Sequence, residues 1–287
     1  LMADITIPDK EIQYKGQTTR FASIPMGIDS FRIQSKVVND VRVNNWRNLI
    51  KEKWNGMKLI MSRDSLDGFS GLIQKLKSYE LFLRKNPSLI GKVTLLQICS
   101  TSPKRTDSID VKRQIMVIID RINSFSFNIN SPPPVMFLQQ DLEVPQILAL
   151  YCECDLYWVN SLREGMNLTC HEFITCSFDK HSPLMISEFI GSASISKNNA
   201  LLINPWDIDN VSKMIKYALY DMSPKLKKFK WRKMIKNIIN NDSEAWLSKN
   251  LSLINSSWEH NLERATLNKM TYSSLIRDYQ ISKKRLF

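Results

Sequence analysis

The chain is poor in the residues that build metal and nucleophile sites. Its three histidines, His171, His181 and His260, show no metal-ligand spacing with one another or with cysteine. Cys152 and Cys154 stand too close together for a zinc-type pair. Cysteine is scarce as well: Cys99, Cys152, Cys154, Cys170 and Cys176 are odd in number and sit in apolar contexts. That argues against a disulfide framework and for a reducing, cytoplasmic setting. There is no P-loop, no GxGxxG and no nucleophile elbow. No apolar run approaches the roughly 18 to 20 residues a membrane span needs, and there is no internal repeat or low-complexity tract. Acidic residues are the remaining shortage, with 28 Asp and Glu against 40 Lys and Arg, a formal charge of +12.

A charge of this size invites a nucleic-acid reading, and its distribution argues against specific recognition. Much of the excess lies in KLKKFKWRKMIK, Lys225 to Lys236, where Leu226, Phe229, Ile235 and Ile238 recur at spacings that suggest an amphipathic helix with a solvated basic face. Phe229 and Trp231 are interleaved with the charge, yet no single-strand or groove-binding motif accompanies them. A nonspecific polyanion binder is the third and weakest reading, with acidic partner surfaces as a lesser use of the same patch.

What the chain does have is an alternation of strand-like runs with helix-length amphipathic segments, in 287 residues that are 43% hydrophobic, enough for a sizeable core. This pattern predicts a parallel sheet covered by helices on both faces. Strands are expected at Phe21 to Met26, Lys58 to Met61, Val93 to Ile98, Val135 to Leu138, Leu156 to Val159, Leu184 to Ser187 and Leu201 to Ile203. Helices are expected at Val41 to Lys53, Gly71 to Arg84, Asp107 to Phe125, Glu143 to Cys152, Leu168 to Phe178, Ile208 to Tyr220, Pro224 to Asn240 and Asp242 to Asn268. Pro132 to Pro134 pin the entry to one strand. Trp206, Trp246 and Trp258 read as core or interdomain aromatics rather than stacking platforms.

The most telling stretch is CDLYWVNSLREGMNLTCHEF, Cys154 to Phe173, an apolar strand running through a glycine turn into a helix. In an open α/β sheet a ligand sits at such a junction, outside the carboxyl end of a strand and against the positive end of a helix. Gly165 permits close backbone approach, and Glu172, about two helical turns beyond Glu164, is placed to accept from a sugar or ribose diol. A charge favoured by the helix dipole is the plainer reading of Glu172.

SLREGMNLTCHEFI resembles the SLRDGMNLVSYEYV signature of trehalose-6-phosphate synthases, retaining glycosyltransferases that join UDP-glucose to glucose 6-phosphate. Three further segments resemble the family in its order: IPMGID (Ile24 to Asp29), QKLKSYELFLRKNPSLIGKVTLLQI (Gln74 to Ile98) and LINPWDIDNVSKMIKYAL (Leu202 to Leu219). The resemblance covers nearly the whole chain. It implies a Rossmann-like parallel sheet, the carboxyl-terminal half of a GT-B glycosyltransferase, the half that holds the sugar nucleotide. The implied division is a crossover segment at 1–28, a nucleotide-sugar domain at 29–240, and carboxyl-terminal helices with the start of a possible following domain at 241–287. ISKKRLF, from Ile281, resembles the segment that leads into the aspartate-bearing strand of a phosphatase domain in two-part proteins. With the acceptor half absent, this chain alone is not expected to make trehalose phosphate.

By the same resemblance, Gly165, Met166 and Asn167 map onto the turn that meets the donor glucose, with Glu164 in place of the usual Asp. Leu168 and Glu172 map onto uridine and ribose contacts, Ile147 onto an apolar nucleotide contact, and Arg105 onto an arginine that reaches toward the acceptor phosphate. The family's DRLDYIKG segment supplies an Arg and a Lys to the UDP diphosphate; here the stretch is DSLDGFSG, Asp64 to Gly71, with Ser65 and Ser70 at those positions. Arg63, two residues before Ser65, shares its face about 7 Å back if the strand runs that far, and Lys75 lies one turn into the following helix. Two readings follow. One is a non-catalytic, synthase-like regulatory or scaffold part of a trehalose synthase complex, or the synthase-like region of a phosphatase, with other subunits as partners. The other is half of an active synthase, taking UDP-glucose, retaining configuration and requiring no metal or cofactor.

Overall fold

The structure, a computed structural model, describes residues 10–14, 17–100, 106–126, 132–196, 199–267 and 272–282. These pack as two units: Pro25–Glu244, and a second drawn from the described residues before Pro25 and after Glu244. In the second unit, β1 (Lys10–Tyr14) and β2 (Gln17–Phe21) pair antiparallel. Its helices are α10 (Ser243–Leu267), whose first two residues belong to the larger unit, and α11 (Tyr272–Ile281). Of ISKKRLF, from which a strand was expected to start, Ile281 closes α11 and 283–287 lie outside the described residues.

The larger unit is built on six parallel strands: β3 (Lys58–Ser65), β4 (Val93–Ser100), β5 (Val135–Gln139), β6 (Leu156–Val159), β7 (Leu184–Ser187) and β8 (Leu201–Ile203). Their order is β5-β4-β3-β6-β7-β8. From the central β3 the chain winds outward first to one edge and then, from β6, to the other, so β3 and β6 flank the topological switch point.

Each strand feeds two cores because successive side chains alternate faces. Leu59, Met61, Tyr157 and Val159 enter one apolar cluster, Ile60, Leu156 and Trp158 the other. The first is covered by α1 (Ser30–Asn39), α2 (Val41–Lys53), α5 (Val144–Glu153), α6 (Leu168–Cys176) and α9 (Pro224–Asn240). The second lies under α3 (Leu72–Lys85), α4 (Thr106–Asn123) and α8 (Ile208–Lys216). A short α7 (Ser192–Ser196) follows β7. Among the described residues no helix is long and apolar enough to cross a membrane.

Several expectations need correction. The strand expected at Phe21 to Met26 is absent: Phe21 closes β2, and 22–29 is neither strand nor helix. Pro25 lacks an N–H for a ladder, and a Cβ on Gly27 would lie 1.9 Å from the Asn241 carbonyl oxygen, so the chain there runs close against the end of α9. Helix α1 was not anticipated, although Asp29 caps it by accepting from Arg32 N–H at 2.9 Å. The helix expected to reach Tyr220 gives way to a π-helical turn at Tyr217–Asp221. On α9 the buried residues are Met234, Ile235 and Ile238, whereas Phe229 is exposed. Trp206 is 62% exposed and is no core aromatic of this unit.

Candidate functional site

A cavity of about 280 Å³ opens at the carboxyl ends of β3 and β6, at the switch point. Its floor is the end of β3, where Arg63, Asp64 and Ser65 pair with Ile98, Cys99 and Ser100 of β4. One wall is the loop from β3 to α3 with Asp67, Phe69 and Ser70; the other is the turn from β6 to α6 with Ser161, Arg163, Glu164 and Asn167.

The first wall is set by an aspartate. Asp67 Oδ1 accepts from the N–H groups of Phe69 at 2.9 Å and Ser70 at 2.8 Å, and Ser70 Oγ donates back to the Asp67 carbonyl at 3.0 Å. Gly71 then takes φ +65°, and a Cβ there would stand 2.1 Å from the Asn160 carbonyl oxygen. Only glycine meets both demands. Asn160 Nδ2 donates to the Gly71 carbonyl at 3.1 Å and Leu162 N–H to the Phe69 carbonyl at 2.7 Å, which ties the two walls together.

The second wall is equally fixed. Glu164 accepts from Ser161 Oγ at 2.7 Å and from Asn167 Nδ2 at 3.0 Å, while Asn167 Oδ1 caps α6 by accepting from Cys170 N–H at 3.2 Å. Gly191 N–H donates to the Gly165 carbonyl at 2.7 Å, and Asn167 N–H to Ser192 Oγ at 3.0 Å. Gly165 has open space where a Cβ would stand, the clearance that close approach of a ligand to backbone requires.

The charges on these walls are mostly committed to the protein. Beneath the floor, Asp64 Oδ2 accepts from Lys75 Nζ at 2.5 Å and from Gln97 Nε2 at 2.7 Å, and Lys75 also donates to Ser62 Oγ. Lys75 is fully buried in this network. It does not reach the cavity. Arg63 does, sharing the face of Ser65 because β3 extends to Ser65; it stands 3.9 Å from Glu172. Burial raises the Glu172 carboxyl above its ordinary range, against the opposing pull of Arg63 and of the Tyr151 hydroxyl, 3.5 Å away. Arg163 lines the cavity and forms no ion pair with any described residue.

Of the residues singled out in the sequence, Ser65, Ser70, Glu164 and Asn167 meet on this cavity, and Gly165 and Met166 complete the same turn. Leu168 and Glu172 on α6 and Ile147 on α5 stand off the lining, Ile147 within the apolar cluster and the half-buried Leu168 packed against it. Arg105 lies outside the described residues. Arg163, Ser100 and Ser161 were not singled out. Ser161 and Arg163 stand in the same SLREGMN turn as Glu164, so that motif could have found them, whereas Ser100 reaches the cavity through the pairing of β4 with β3. Among the described residues no group of three or more His, Cys, Asp or Glu is arranged to hold a metal.

A parallel, doubly covered sheet with its cavity at the switch point defines a Rossmann-like unit. Residues 1–256 match the family model of glycosyltransferase family 20, and the chain belongs to that family. It is 48% identical over its whole length to the trehalose synthase complex regulatory subunit TSL1 of Saccharomyces cerevisiae, covering 26% of that protein. With the regulatory subunit TPS3 of the same yeast the identity is 47%, again over the whole chain and 27% of the relative. The chain thus spans about a quarter of the length of these curated relatives. Among solved structures it resembles the N-terminal domain of Candida albicans trehalose-6-phosphate phosphatase, with a TM-score of 0.81 and 35% identity over 86% of this chain and 52% of that one. The UDP-forming alpha,alpha-trehalose-phosphate synthase of Burkholderia xenovorans, in complex with glucose-6-phosphate, aligns with a TM-score of 0.75 and 27% identity over 84% of this chain and 53% of that one.

Proposed function

We propose that this chain is the nucleotide-sugar half of a trehalose-6-phosphate synthase-like region whose role is regulatory or scaffolding within a trehalose synthase complex. The carrying observation is an intact donor-type cavity whose floor and wall present Ser65 and Ser70 where the resemblance calls for an Arg and a Lys. Ser65 is an exposed side chain with no charge to offer, and the Ser70 hydroxyl is spent on the loop itself. Hydrogen bonds to charged groups contribute roughly 1.5 to 3 kcal/mol each, so the two absences cost about 3 to 6 kcal/mol, on the order of a hundredfold to ten-thousandfold in affinity or rate. The similarity to regulatory subunits of a trehalose synthase complex supports this reading, and other subunits of such a complex are its partners. Buried, unpaired cysteines support a reducing, cytoplasmic setting. The division at 1–28, 29–240 and 241–287 belongs to the same proposal.

A second reading, a working half-synthase that takes UDP-glucose, draws on Arg63 and Arg163, two guanidinium groups on the cavity. Calorimetric titration with UDP separates the two. Millimolar or absent binding supports the scaffold; micromolar binding overturns it in favour of the enzyme.

A further inference from the structure

A second cavity, of about 430 Å³, lies at the opposite, amino-terminal edge of the same sheet. Lys58 opens β3 there and Ser65 closes that strand at the donor cavity, seven residue steps away, or roughly 23 Å at about 3.3 Å per residue. Four lysines from three parts of the fold face this recess: Lys58, Lys180 from the turn before β7, and Lys227 and Lys228 from the start of α9.

Both carboxylates on the recess already have partners. Asp155 Oδ1 is shared by Lys58 at 3.2 Å and Lys180 at 3.3 Å, and its Oδ2 accepts from Leu59 N–H at 3.0 Å. Asp179 pairs with Arg47 at 2.8 Å. Lys227 and Lys228 form no ion pair with any described residue. Positive charge therefore exceeds negative on a half-open recess, where Lys180 and Lys228 are exposed and Lys58 and Lys227 half-buried. Burial holds the Lys227 ammonium below its ordinary range, and Lys58 and Lys180 push it the same way, Asp155 opposing.

The helix itself sharpens the point. The amino-terminal end of a helix carries partial positive charge and favours acidic side chains in its first turn. Helix α9 has none there; Lys225, Lys227 and Lys228 occupy its opening residues, and Pro224 lines the recess. For the helix alone this is an unfavourable arrangement. An anion in the recess reverses the sign, since lysines and helix dipole then act on it together.

We propose that this recess binds a phosphate dianion, free or carried on a small metabolite. A phosphate group offers three acceptor oxygens to the lysines that line the recess, of which Lys180 also donates to the Glu153 carbonyl at 2.6 Å, and the volume accommodates it with a small organic substituent. The site is separate from the donor cavity and does not depend on how that cavity is read.

The test is calorimetric titration of the purified chain with inorganic phosphate and, in a parallel arm, glycerol 3-phosphate, at constant ionic strength. Saturable binding of either probe is expected, the stronger arm distinguishing free phosphate from a phosphomonoester. Lys227→Ala/Lys228→Ala should weaken it at least tenfold, while Lys233→Ala/Lys236→Ala, with equal charge loss on the same helix but off the recess, should change it less than twofold. Circular dichroism verifies that both variants stay folded. Equal weakening by both pairs, absence of saturable binding to either probe, or binding of poly-glutamate in their place would overturn the proposal.

Discussion

Lys75 and Asp64 form a buried ion pair, Nζ to Oδ2 at 2.5 Å, with the lysine wholly enclosed and the aspartate side chain 3% exposed. Ser62 and Gln97 complete it, each also bonded to Asp64. The pair supports the floor of the switch-point cavity from below. A buried charge left without its partner is far costlier than a pair replaced as a whole.

Lys75→Met should therefore destabilise the chain by about 3 to 5 kcal/mol, and Asp64→Asn/Lys75→Met by clearly less. Urea unfolding at neutral pH measures both. If the double variant is no more stable than the single one, the pair is not what holds the floor.

Gly71→Ala tests the tie between the two walls. The substitution meets a left-handed backbone at φ +65° and a carbonyl oxygen 2.1 Å from the new Cβ, so the Asn160 contact must open. Strain of this kind costs about 1 to 3 kcal/mol before the clash is counted. Gly165→Ala, with nothing within 4 Å of the new atom, should be nearly neutral in stability, within about 0.5 kcal/mol. A comparison of thermal midpoints checks the contrast.

Strand centres and helix bodies were legible because alternation and helical spacing follow local burial. The ends were less so. The strand β3 was expected at Lys58 to Met61, with its continuation to Ser65 left open, and it pairs with β4 through Ser65↔Ser100 although Ser62 to Ser65 are all polar. Ser62 and Asp64 stay in the strand because Lys75 and Gln97 satisfy them beneath the sheet. Partners 11 and 33 residues from Asp64 are invisible to a local reading. The candidate site divides the same way. Ser161 to Asn167 stood out as one continuous turn, whereas its meeting with Ser65 and Ser100 follows only once the strand order is known.

Restoring charge at the two serines should not give equal gains. Ser65 is exposed on the cavity floor, so Ser65→Arg is expected to tighten UDP about tenfold, the equivalent of one charged hydrogen bond near 1.5 kcal/mol. Ser70 is 6% exposed and its hydroxyl closes the loop, so Ser70→Lys breaks that bond and should gain less. Titration of both single variants and the double variant with UDP decides it. A double variant that binds no tighter than the unaltered chain would place the deficit elsewhere.

The last expectation concerns acid. His171 is 3% exposed on α6, and neither ring nitrogen has a hydrogen-bond partner among the described residues. Burial pulls its imidazole from 6.5 down to about 4. Above pH 6.5 the ring is neutral in folded and unfolded chain alike and stability is unaffected. Below it the unfolded chain binds a proton that the folded chain refuses until about pH 4, so stability falls as pH falls, by about 2 kcal/mol between pH 7.5 and 5. The raised carboxyl of Glu172 acts in the opposite sense, because the folded chain protonates it more readily than the unfolded one. His171→Phe removes the imidazole and leaves Glu172, so the difference between variant and unaltered chain isolates the histidine. Urea midpoints at pH 7.5 and 5 should show the variant losing about 2 kcal/mol less than the unaltered chain, and equal losses would mean that His171 is not the group that resists the proton.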